Sequence, residues 1–277
     1  MLYVTSDLHY RLDAQGDKAT ESLAQFVNNR STRSDTLCIA GDIGSSDESI
    51  ADCLALFAGF KGFKCAIAGN HDIWTEEGQD SLERWGLLPD IFLKRDFWPL
   101  ESAPRILGNM GIAGTIGWYD YSFRDESLGV PIEAYRAKHC DRFPGIWNDA
   151  LYVRWSHSDE SFTSLTLERL KKQIVSLENS GASEIVVLMH HLPTKKLLLP
   201  SWLVPKAWRF NNTFLGSDCY ATMIAQHPRV RCVVSGHSHL RRTAEVDGRL
   251  YAGIGGDYLY KDLLTWDGKR IKRSRFT

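Results

Sequence analysis

Short apolar runs alternate with amphipathic segments in the first third of the chain. Residues 2–6, 35–41 and 62–69 (LYVTS, DTLCIAG and GFKCAIAG) form the apolar runs. The segments between them, 17–30 and 46–60, have the residue pattern of helices, and Ser and Asp residues that can cap a helix open the second one. This alternation predicts an α/β sheet that is buried on both faces.

The same alternation returns after residue 160. The segment 161–181 predicts a helix, because its leucine and isoleucine residues recur every three or four positions and a glycine ends it. Strand-like runs follow at 183–189 and 229–234. Two Asp-Gly pairs, 247–248 and 267–268, lie between β-prone runs, and Asp-Gly favours the left-handed backbone of a type I′ turn. Both pairs therefore predict β-hairpins.

The region 117–160 has no clean period and is dense in Trp, Tyr and charged residues. No linker or repeat separates it from its surroundings. We interpret it as an aromatic-rich insertion packed over one edge of a single domain that comprises residues 1–277.

The composition is that of an ordinary globular protein, with 43% hydrophobic residues and a formal net charge of −1. Such a charge does not indicate nucleic acid as a partner, although a local basic groove stays possible. No apolar run approaches the roughly 18 residues of a membrane span, and the N-terminus lacks the pattern of a signal peptide. The six cysteines are scattered, which favours free thiols in a cytoplasmic protein without membrane contact.

Each predicted strand is followed by residues that can ligate a metal ion. Because ligands collect at the carboxyl ends of strands in open α/β sheets, five loops are expected to converge on one point. The residues are Asp7 and His9, Asp42, Asn70 with His71 and Asp72, His190 with His191, and His237 with His239. Six of the nine histidines lie in these loops.

Imidazole, carboxylate and amide donors form a set suited to Mn, Fe or Zn, without the thiolates of a structural zinc site. The donors are too many for one tetrahedral ion, so two ions about 3.5–4 Å apart are expected, with Asp42 as the bridge. Gly236 is expected to give the loop around His237 and His239 the freedom to aim each ring separately.

The motifs D-L-H, GD, GNHD, a histidine at a strand end and GHSH resemble, in this order, those of the calcineurin-like metallophosphoesterases. They extend from Asp7 to His239. The resemblance implies a four-layer αββα sandwich with two mixed β-sheets and a dinuclear centre. It implies that one metal is bound by Asp7, His9, Asp42 and His239, and the other by Asp42, Asn70, His190 and His237.

Two choices within these motifs stay open. His190 is preferred to His191 as the ligand, because of its place in the family motif. His71 is a candidate catalytic residue that protonates the leaving alkoxide, with Asp72 orienting its ring. The alternative for Asp72 is that it caps the following helix and has no catalytic role.

The family resemblance predicts a metal-dependent phosphoesterase in which a metal-bridging hydroxide attacks the phosphoester. The second motif lacks the G-D-x-x-D-R-G pattern of phosphoprotein phosphatases, and His71 replaces the Arg of the lipid-precursor pyrophosphohydrolases. By elimination, a small phosphodiester is the expected substrate. The alternatives are a nuclease, a phosphomonoesterase, and a non-catalytic protein-binding scaffold on the same fold.

Four residues near the motifs are candidates for substrate contacts. Aromatic rings can stack a nucleobase, and an arginine can bind a second phosphate. The four are Trp74, Trp118, Tyr119 and Arg241. For each of them, structural packing is the competing interpretation.

Overall fold

Twelve strands and eight helices are present in the computed structural model, which describes residues 1–277. The strands are β1 (Leu2–Thr5), β2 (Thr36–Ala40), β3 (Phe63–Ile67), β4 (Trp98–Pro99), β5 (Arg105–Leu107), β6 (Met110–Thr115), β7 (Glu184–Met189), β8 (Val230–Ser235), β9 (Thr243–Val246), β10 (Arg249–Gly253), β11 (Lys261–Trp266) and β12 (Ile271–Phe276). The helices are α1 (Ala14–Arg30), α2 (Asp47–Ala55), α3 (Ser81–Lys94), α4 (Ile132–Arg136), α5 (Asp149–Tyr152), α6 (Asp159–Asn179), α7 (Lys206–Asn211) and α8 (Asp218–Ile224).

The strands form two six-stranded sheets. The first has the order β12-β11-β1-β2-β3-β4, and the second has the order β5-β6-β7-β8-β10-β9. Strands β1 to β4 are parallel, whereas β11 and β12 are antiparallel to their neighbours. The second sheet is also mixed, because β6, β7, β8 and β10 are parallel and its two edge strands are antiparallel.

The two sheets face each other across a core of small and branched side chains. Alternate residues of each strand point into this core, as the period of two requires. On the first sheet they include Val4, Cys38 and Ile67, and on the second they include Leu188 and Val234.

The opposite face of each sheet packs against helices. Side chains of α1, α2 and α3 cover the first sheet, and those of α6 and α8 cover the second. Both faces of both sheets are therefore buried, which explains the near-continuous apolar runs. The predicted four-layer αββα sandwich with two mixed sheets is confirmed.

The two Asp-Gly pairs lie in hairpins, as predicted, but only one forms the expected turn. Asp247 and Gly248 both have a positive φ, 51° and 70°, and they are the only residues between β9 and β10. Between β11 and β12 only Gly268 has a positive φ, and the Asp267 carboxylate instead accepts hydrogen bonds from the backbone N–H groups of Lys269 and Arg270. The second loop is therefore longer, because an Asp side chain organises it.

The aromatic residues of 117–160 fill a core with the helices. Trp118, Tyr119 and Tyr121 are buried in the same cluster as Trp85 of α3 and Phe162 of α6. Two short α-helices, α4 and α5, and a 3₁₀ turn at Glu126–Leu128 form in this region before α6 begins. Its description as an insertion into a single domain stays a prediction.

Two further observations concern the whole chain. All six cysteines are free, as predicted, and five of them are buried. None of the helices combines the length and the apolar character needed to cross a lipid bilayer.

Candidate metal centre

The loops that follow five strands converge at one edge of the sandwich. Loops after β1, β2 and β3 come from the first sheet, and loops after β7 and β8 come from the second. They bring together three groups of donor residues, and within each group the potential ligand atoms lie within 4.8 Å of one another. The groups are Asp7, His9 and His239; His9, Asp42 and His71; and Asp42, His190 and His237.

Most of the predicted ligands have an unusual backbone conformation. A positive φ is uncommon for residues other than glycine and costs of order 1–3 kcal/mol in such positions. Five of the seven predicted ligands adopt it: Asp7 (58°), His9 (43°), Asp42 (52°), His237 (66°) and His239 (56°). Strain of this kind accumulates at functional sites, where it aims side chains that a regular strand would point elsewhere.

Glycines allow the loops to approach each other closely. A Cβ atom on Gly236 would lie 1.9 Å from the Ser6 Oγ and 2.8 Å from an oxygen of Asp7. The sequence-based explanation of Gly236 was wrong, because Gly236 does not have a positive φ; His237 and His239 adopt that conformation themselves. Gly236 is required for the contact between the loops after β8 and β1.

His190 is held in an orientation that suits a ligand. Its Nδ1 lies 2.9 Å from the carbonyl oxygen of Ala40, so the Nδ1–H donates there. Its Nε2 faces the centre, 3.3 Å from Oδ1 of Asp42 and 3.0 Å from Oδ1 of Asn70. A backbone carbonyl that fixes the tautomer in this way is the usual partner of a metal-ligating histidine. This arrangement supports the choice of His190.

His191 lies outside the three donor groups, although it is equally buried. Its Nδ1 lies 3.0 Å from the carbonyl oxygen of Ile116, and its ring lies 4.7 Å from that of Trp118 between centroids. Burial, with the nearby His190, lowers the pKa of His191 to about 3. His191 is therefore neutral, and it packs beside the centre against Ile116 and Trp118.

The charge states of the buried donors favour a cation. Burial lowers the pKa values of His9 and His237 well below their usual range, so both rings are neutral and can ligate. Burial works against ionisation of Asp42, but His190 and His71 hold its pKa well below the usual range. Burial raises the pKa of Asp7. Burial also works against a charged His190, but the nearby Asp42 raises the pKa of His190 to about 9. The centre thus combines the neutral rings of His9 and His237 with a charged Asp42 whose partner His190 has to lose a proton before it can ligate.

Two buried histidine nitrogens near the centre, the Nε2 of His9 and the Nε2 of His191, have no partner within the protein. The Nε2 of His9 is inaccessible to solvent and makes no hydrogen bond, and it lies 3.6 Å from Oδ2 of Asp42. A buried polar atom without a partner costs about 1–3 kcal/mol, so such atoms are rare unless a ligand satisfies them. A metal ion between His9 and Asp42 fits this site.

The two oxygens of Asp42 face different donors. Its Oδ1 is the oxygen near His190, whereas its Oδ2 is the oxygen near His9 and, at 3.9 Å, the Nε2 of His71. A carboxylate with one oxygen towards each donor group has the geometry of a bridge between two ions. The residues therefore fit a dinuclear centre.

Asp72 does not have the contacts that the sequence predicted. Its carboxylate accepts hydrogen bonds from the backbone N–H groups of Ile43, Gly44 and Gly69, at 2.7 to 3.0 Å, and none from the His71 ring. Burial and the nearby Asp42 raise the pKa of Asp72 to about 7. Through these bonds Asp72 connects two ligand loops. It does not cap the helix that follows, and its catalytic role stays a prediction.

A different residue caps the helix that follows. Asp80 accepts hydrogen bonds from the backbone N–H groups of Leu82 and Glu83 at the start of α3. His71 lies at the centre itself, with its ring centroid 4.6 Å from that of His9 and 3.6 Å from that of Trp74.

Three of the four candidate substrate residues have structural roles. Trp118 and Tyr119 are completely buried, and they donate hydrogen bonds to Asp159 (2.8 Å) and Asp149 (3.0 Å). Arg241 binds Asp262 through two hydrogen bonds of 2.7 and 2.8 Å. These contacts favour the packing interpretation for the three residues, and their contact with substrate stays a prediction. Trp74 also binds a buried carboxylate, that of Asp149, but its ring lies beside His71.

Asp149 is an important residue that the sequence did not reveal. Its buried carboxylate accepts hydrogen bonds from the Nδ2 of Asn70 (2.9 Å) and the Nε1 of Trp74 (2.9 Å). Trp147 and Tyr119 donate to its other oxygen. The bond from Asn70 turns the amide oxygen of Asn70 towards His190 and the centre. Asp149 lies 79 positions from Asn70 in a region without a period, so no local signal pointed to it.

Tyr258 is a second residue that sequence reasoning missed. Its ring lies 4.6 Å from the ring of His9 and 5.4 Å from that of His239, between centroids. The ring is partly exposed, so it forms the solvent side of one donor group. It follows a Gly-Gly pair in the connection from β10 to β11, where no pattern predicted a site.

Comparisons with known proteins agree with this architecture. The model of the calcineurin-like phosphoesterase family matches residues 1–241. The phosphopantetheinyl hydrolase of Mycobacterium tuberculosis has a similar structure, with a TM-score of 0.72 and 20% identity over 93% of this chain and 89% of that chain. A dimetal phosphatase from Danio rerio has a TM-score of 0.56 and 12% identity over 99% of this chain and 95% of that chain. No curated protein sequence matches the chain.

The family match covers most of the chain and every motif from Asp7 to His239. At the identities found, the structural neighbours show the fold alone. With the predicted fold and the converging donors, the match settles the classification. The chain belongs to the calcineurin-like phosphoesterases, a family of metal-dependent phosphoester hydrolases with a dinuclear centre.

Proposed function

We propose that this protein is a dinuclear metal-dependent phosphodiesterase that acts on a small substrate. The observation that carries the proposal is the placement of Asp42, whose two oxygens face separate donor groups. One ion would be held by Asp7, His9, Asp42 and His239, and the other by Asp42, Asn70, His190 and His237. The donor set suits Mn, Fe or Zn.

When bound, two divalent ions supply Lewis-acid polarisation of the phosphoester and a water activated for attack. The residues of the chain supply the geometry. Ala40 holds the ring of His190, and Asp149 holds the amide of Asn70. Preorganised ligands of this kind lower the cost of assembling the reacting groups.

His71 is placed to act on the leaving group. Its backbone N–H donates to Asp42 at 2.9 Å, which fixes its position beside the centre, and its side chain retains some exposure. Burial lowers the pKa of the His71 ring, so a neutral imidazole faces the substrate. A neutral ring donates one N–H, which can stabilise the charge that develops on the departing alkoxide.

The preference for a diester over a monoester comes from the elimination argued from the motifs. The cavity beside His71 and His9 is compatible with a small diester, because its lining contains no Lys or Arg side chain and suits an uncharged ester group.

The proposal is tested by comparing a phosphomonoester and a phosphodiester chromogen with added Mn²⁺. We expect diester turnover by the wild type, and loss of both metal content and turnover in Asp42→Asn. Full metal content with undiminished hydrolysis in Asp42→Asn would refute the dinuclear model. Preference for the monoester would show a phosphomonoesterase, and no turnover of either would show a scaffold.

The substrate is then sought in a panel of diesters. The panel contains cyclic nucleotides, dinucleotides, oligonucleotides and a phosphopantetheinylated protein, the last because one structural neighbour is a phosphopantetheinyl hydrolase. Hydrolysis of the oligonucleotides alone would show a nuclease. Hydrolysis of the smaller diesters supports the proposal.

A further inference from the structure

A cavity of about 240 Å³ opens beside the donor groups. His71 and His9 form its inner wall, and the aromatic residues Tyr10, Trp74, Tyr152 and Tyr258 also line it. Sites for drug-sized ligands measure roughly 300–1,000 Å³, so this cavity suits a smaller group. Since the proposed role of His71 is at the leaving oxygen, the cavity lies where the leaving group of the substrate would sit.

Ring stacking and a hydrogen bond fix the position of Trp74 in the aromatic lining of the cavity. The ring of Trp74 stacks on that of Tyr152, with centroids 4.8 Å apart and planes at 28°, and also on His71. Its indole N–H is bound to Asp149. Trp74 is therefore fixed, whereas Tyr152 and Tyr258 are 42% and 41% exposed and keep ring surface free. A rigid aromatic surface costs little entropy when a flat group stacks on it.

The cavity has no charged carboxylate, Lys or Arg in its lining. Arg11, next in the chain to Tyr10, is paired with Glu48 and Asp52 on the surface. The uncharged polar side chains in the lining include those of Ser45 and Asn148, and the exposed side chain of Asn148 makes no hydrogen bond. A second phosphate or another ionised group would thus lose its hydration in this cavity without gaining a counter-charge. A neutral group does not pay this electrostatic cost.

We propose that this cavity selects phosphodiesters whose leaving group is uncharged and planar, with Tyr152 and Tyr258 as the stacking residues. The proposal rests on the proposed function, because it assigns the cavity to the leaving group of that reaction. It narrows the substrate class to esters of an aromatic or heteroaromatic group, and it disfavours leaving groups that carry phosphate or are flexible chains.

The first experiment measures leaving-group selectivity in the Mn²⁺-loaded protein. Two methyl phosphodiesters are compared, one with a phenol as leaving group and one with a fluoroalkyl alcohol of matched acidity. We expect kcat/KM to favour the aryl ester about tenfold, the order of magnitude that one aromatic stacking contact gives. In Tyr152→Ala this ratio is expected to fall about tenfold, through KM, while Tyr152→Phe keeps it because the ring is retained.

Trp202→Ala is the matched control, since Trp202 is 81% exposed and does not line the cavity. Its selectivity ratio is expected to equal that of the wild type. A second readout does not depend on turnover: saturation-transfer NMR with free phenol and metal-free protein. Phenol is expected to bind the wild type more tightly than it binds Tyr152→Ala.

The outcomes separate this proposal from the proposed function. Equal kcat/KM for the two esters in the wild type, or the same ratio in Tyr152→Ala as in the wild type, would overturn the inference while the phosphodiesterase stands. Preference for an ester whose leaving group carries a phosphate would overturn it as well. Absence of any diester turnover defeats the proposed function, and phenol binding that depends on Tyr152 would still support a planar-group site.

Discussion

Replacing Asp149 by Asn tests how the aromatic region supports the metal centre. The carboxylate accepts four hydrogen bonds, two on each oxygen, and one of its donors is the amide of the proposed ligand Asn70. Asn supplies one oxygen and one NH₂ group. The less costly orientation turns the NH₂ group towards Tyr119, whose hydroxyl can accept, and leaves the indole N–H of Trp147 without an acceptor.

The cost follows from these contacts. An unpaired indole N–H costs about 1–3 kcal/mol. The bonds from Asn70 and Trp74 lose the charge of their acceptor, and a charge-assisted hydrogen bond is roughly twice as strong as a neutral one. We therefore expect Asp149→Asn to lower the free energy of unfolding by about 2–4 kcal/mol. Loss of such an outer partner typically weakens metal binding about 10–100-fold.

The assay combines urea unfolding with metal titration and diester hydrolysis. Asp159→Asn is a matched control, because Asp159 is also buried and accepts hydrogen bonds from Trp118, Tyr121 and Lys138, but contacts no proposed ligand. It should be destabilised without a change in metal affinity. The reasoning is refuted if Asp149→Asn binds metal as tightly as the wild type, or if both variants lose metal equally.

Three further predictions follow from other contacts. Gly236→Ala is expected to lower the free energy of unfolding by about 3 kcal/mol in urea, because its Cβ would clash with Ser6; unchanged stability would show that the two loops can separate. Asp262→Asn should be less stable than the wild type at neutral pH, because Arg241 and Arg275 lower the pKa of Asp262 against the effect of burial. The wild type loses this advantage progressively as the pH falls from about 4 through the lowered pKa of Asp262, so the thermal unfolding curves of the two proteins should converge at still lower pH. Removing divalent ions with a chelator should lower Tm, and free Mn²⁺ at 100 times its Kd should raise the free energy of unfolding by about 2.7 kcal/mol. A Tm that does not change when Mn²⁺ is added would argue against the metal centre.

Local features of the sequence determined the fold class and the set of ligands. Apolar runs identified the buried strands of an α/β sheet whose loops share one edge. The order of the motifs after these strands resembles that of the calcineurin-like metallophosphoesterases, and this resemblance implied the αββα sandwich. Strand periodicity and strand-end polarity are properties of neighbouring residues, and a single sequence shows them directly. For the same reason the pair His237 and His239 could be assigned to the centre before the fold was known.

The orientation of each ligand depended on partners far away in the chain. The rings of His190 and His191 are each held by a backbone carbonyl, that of Ala40 or Ile116, which are 150 and 75 positions away. Only the Nε2 of His190 then faces Asn70 and Asp42. The commitment of Arg241 to Asp262 likewise became visible only after β11 had paired with β1. No local pattern encodes these contacts, because they form when separate loops meet.

Burial separated the aromatic residues that support the site from those that face it. In the sequence Trp118, Tyr119 and Tyr152 are equivalent, since each lies in an aromatic-rich stretch without a period. In the folded chain the first two are enclosed and bind buried carboxylates, while Tyr152 keeps a free ring beside His71. The sequence by itself determined which chemistry collects at the strand ends. Only the tertiary structure decided which side chains surround it, because exposure is a property of the packed molecule and not of any segment.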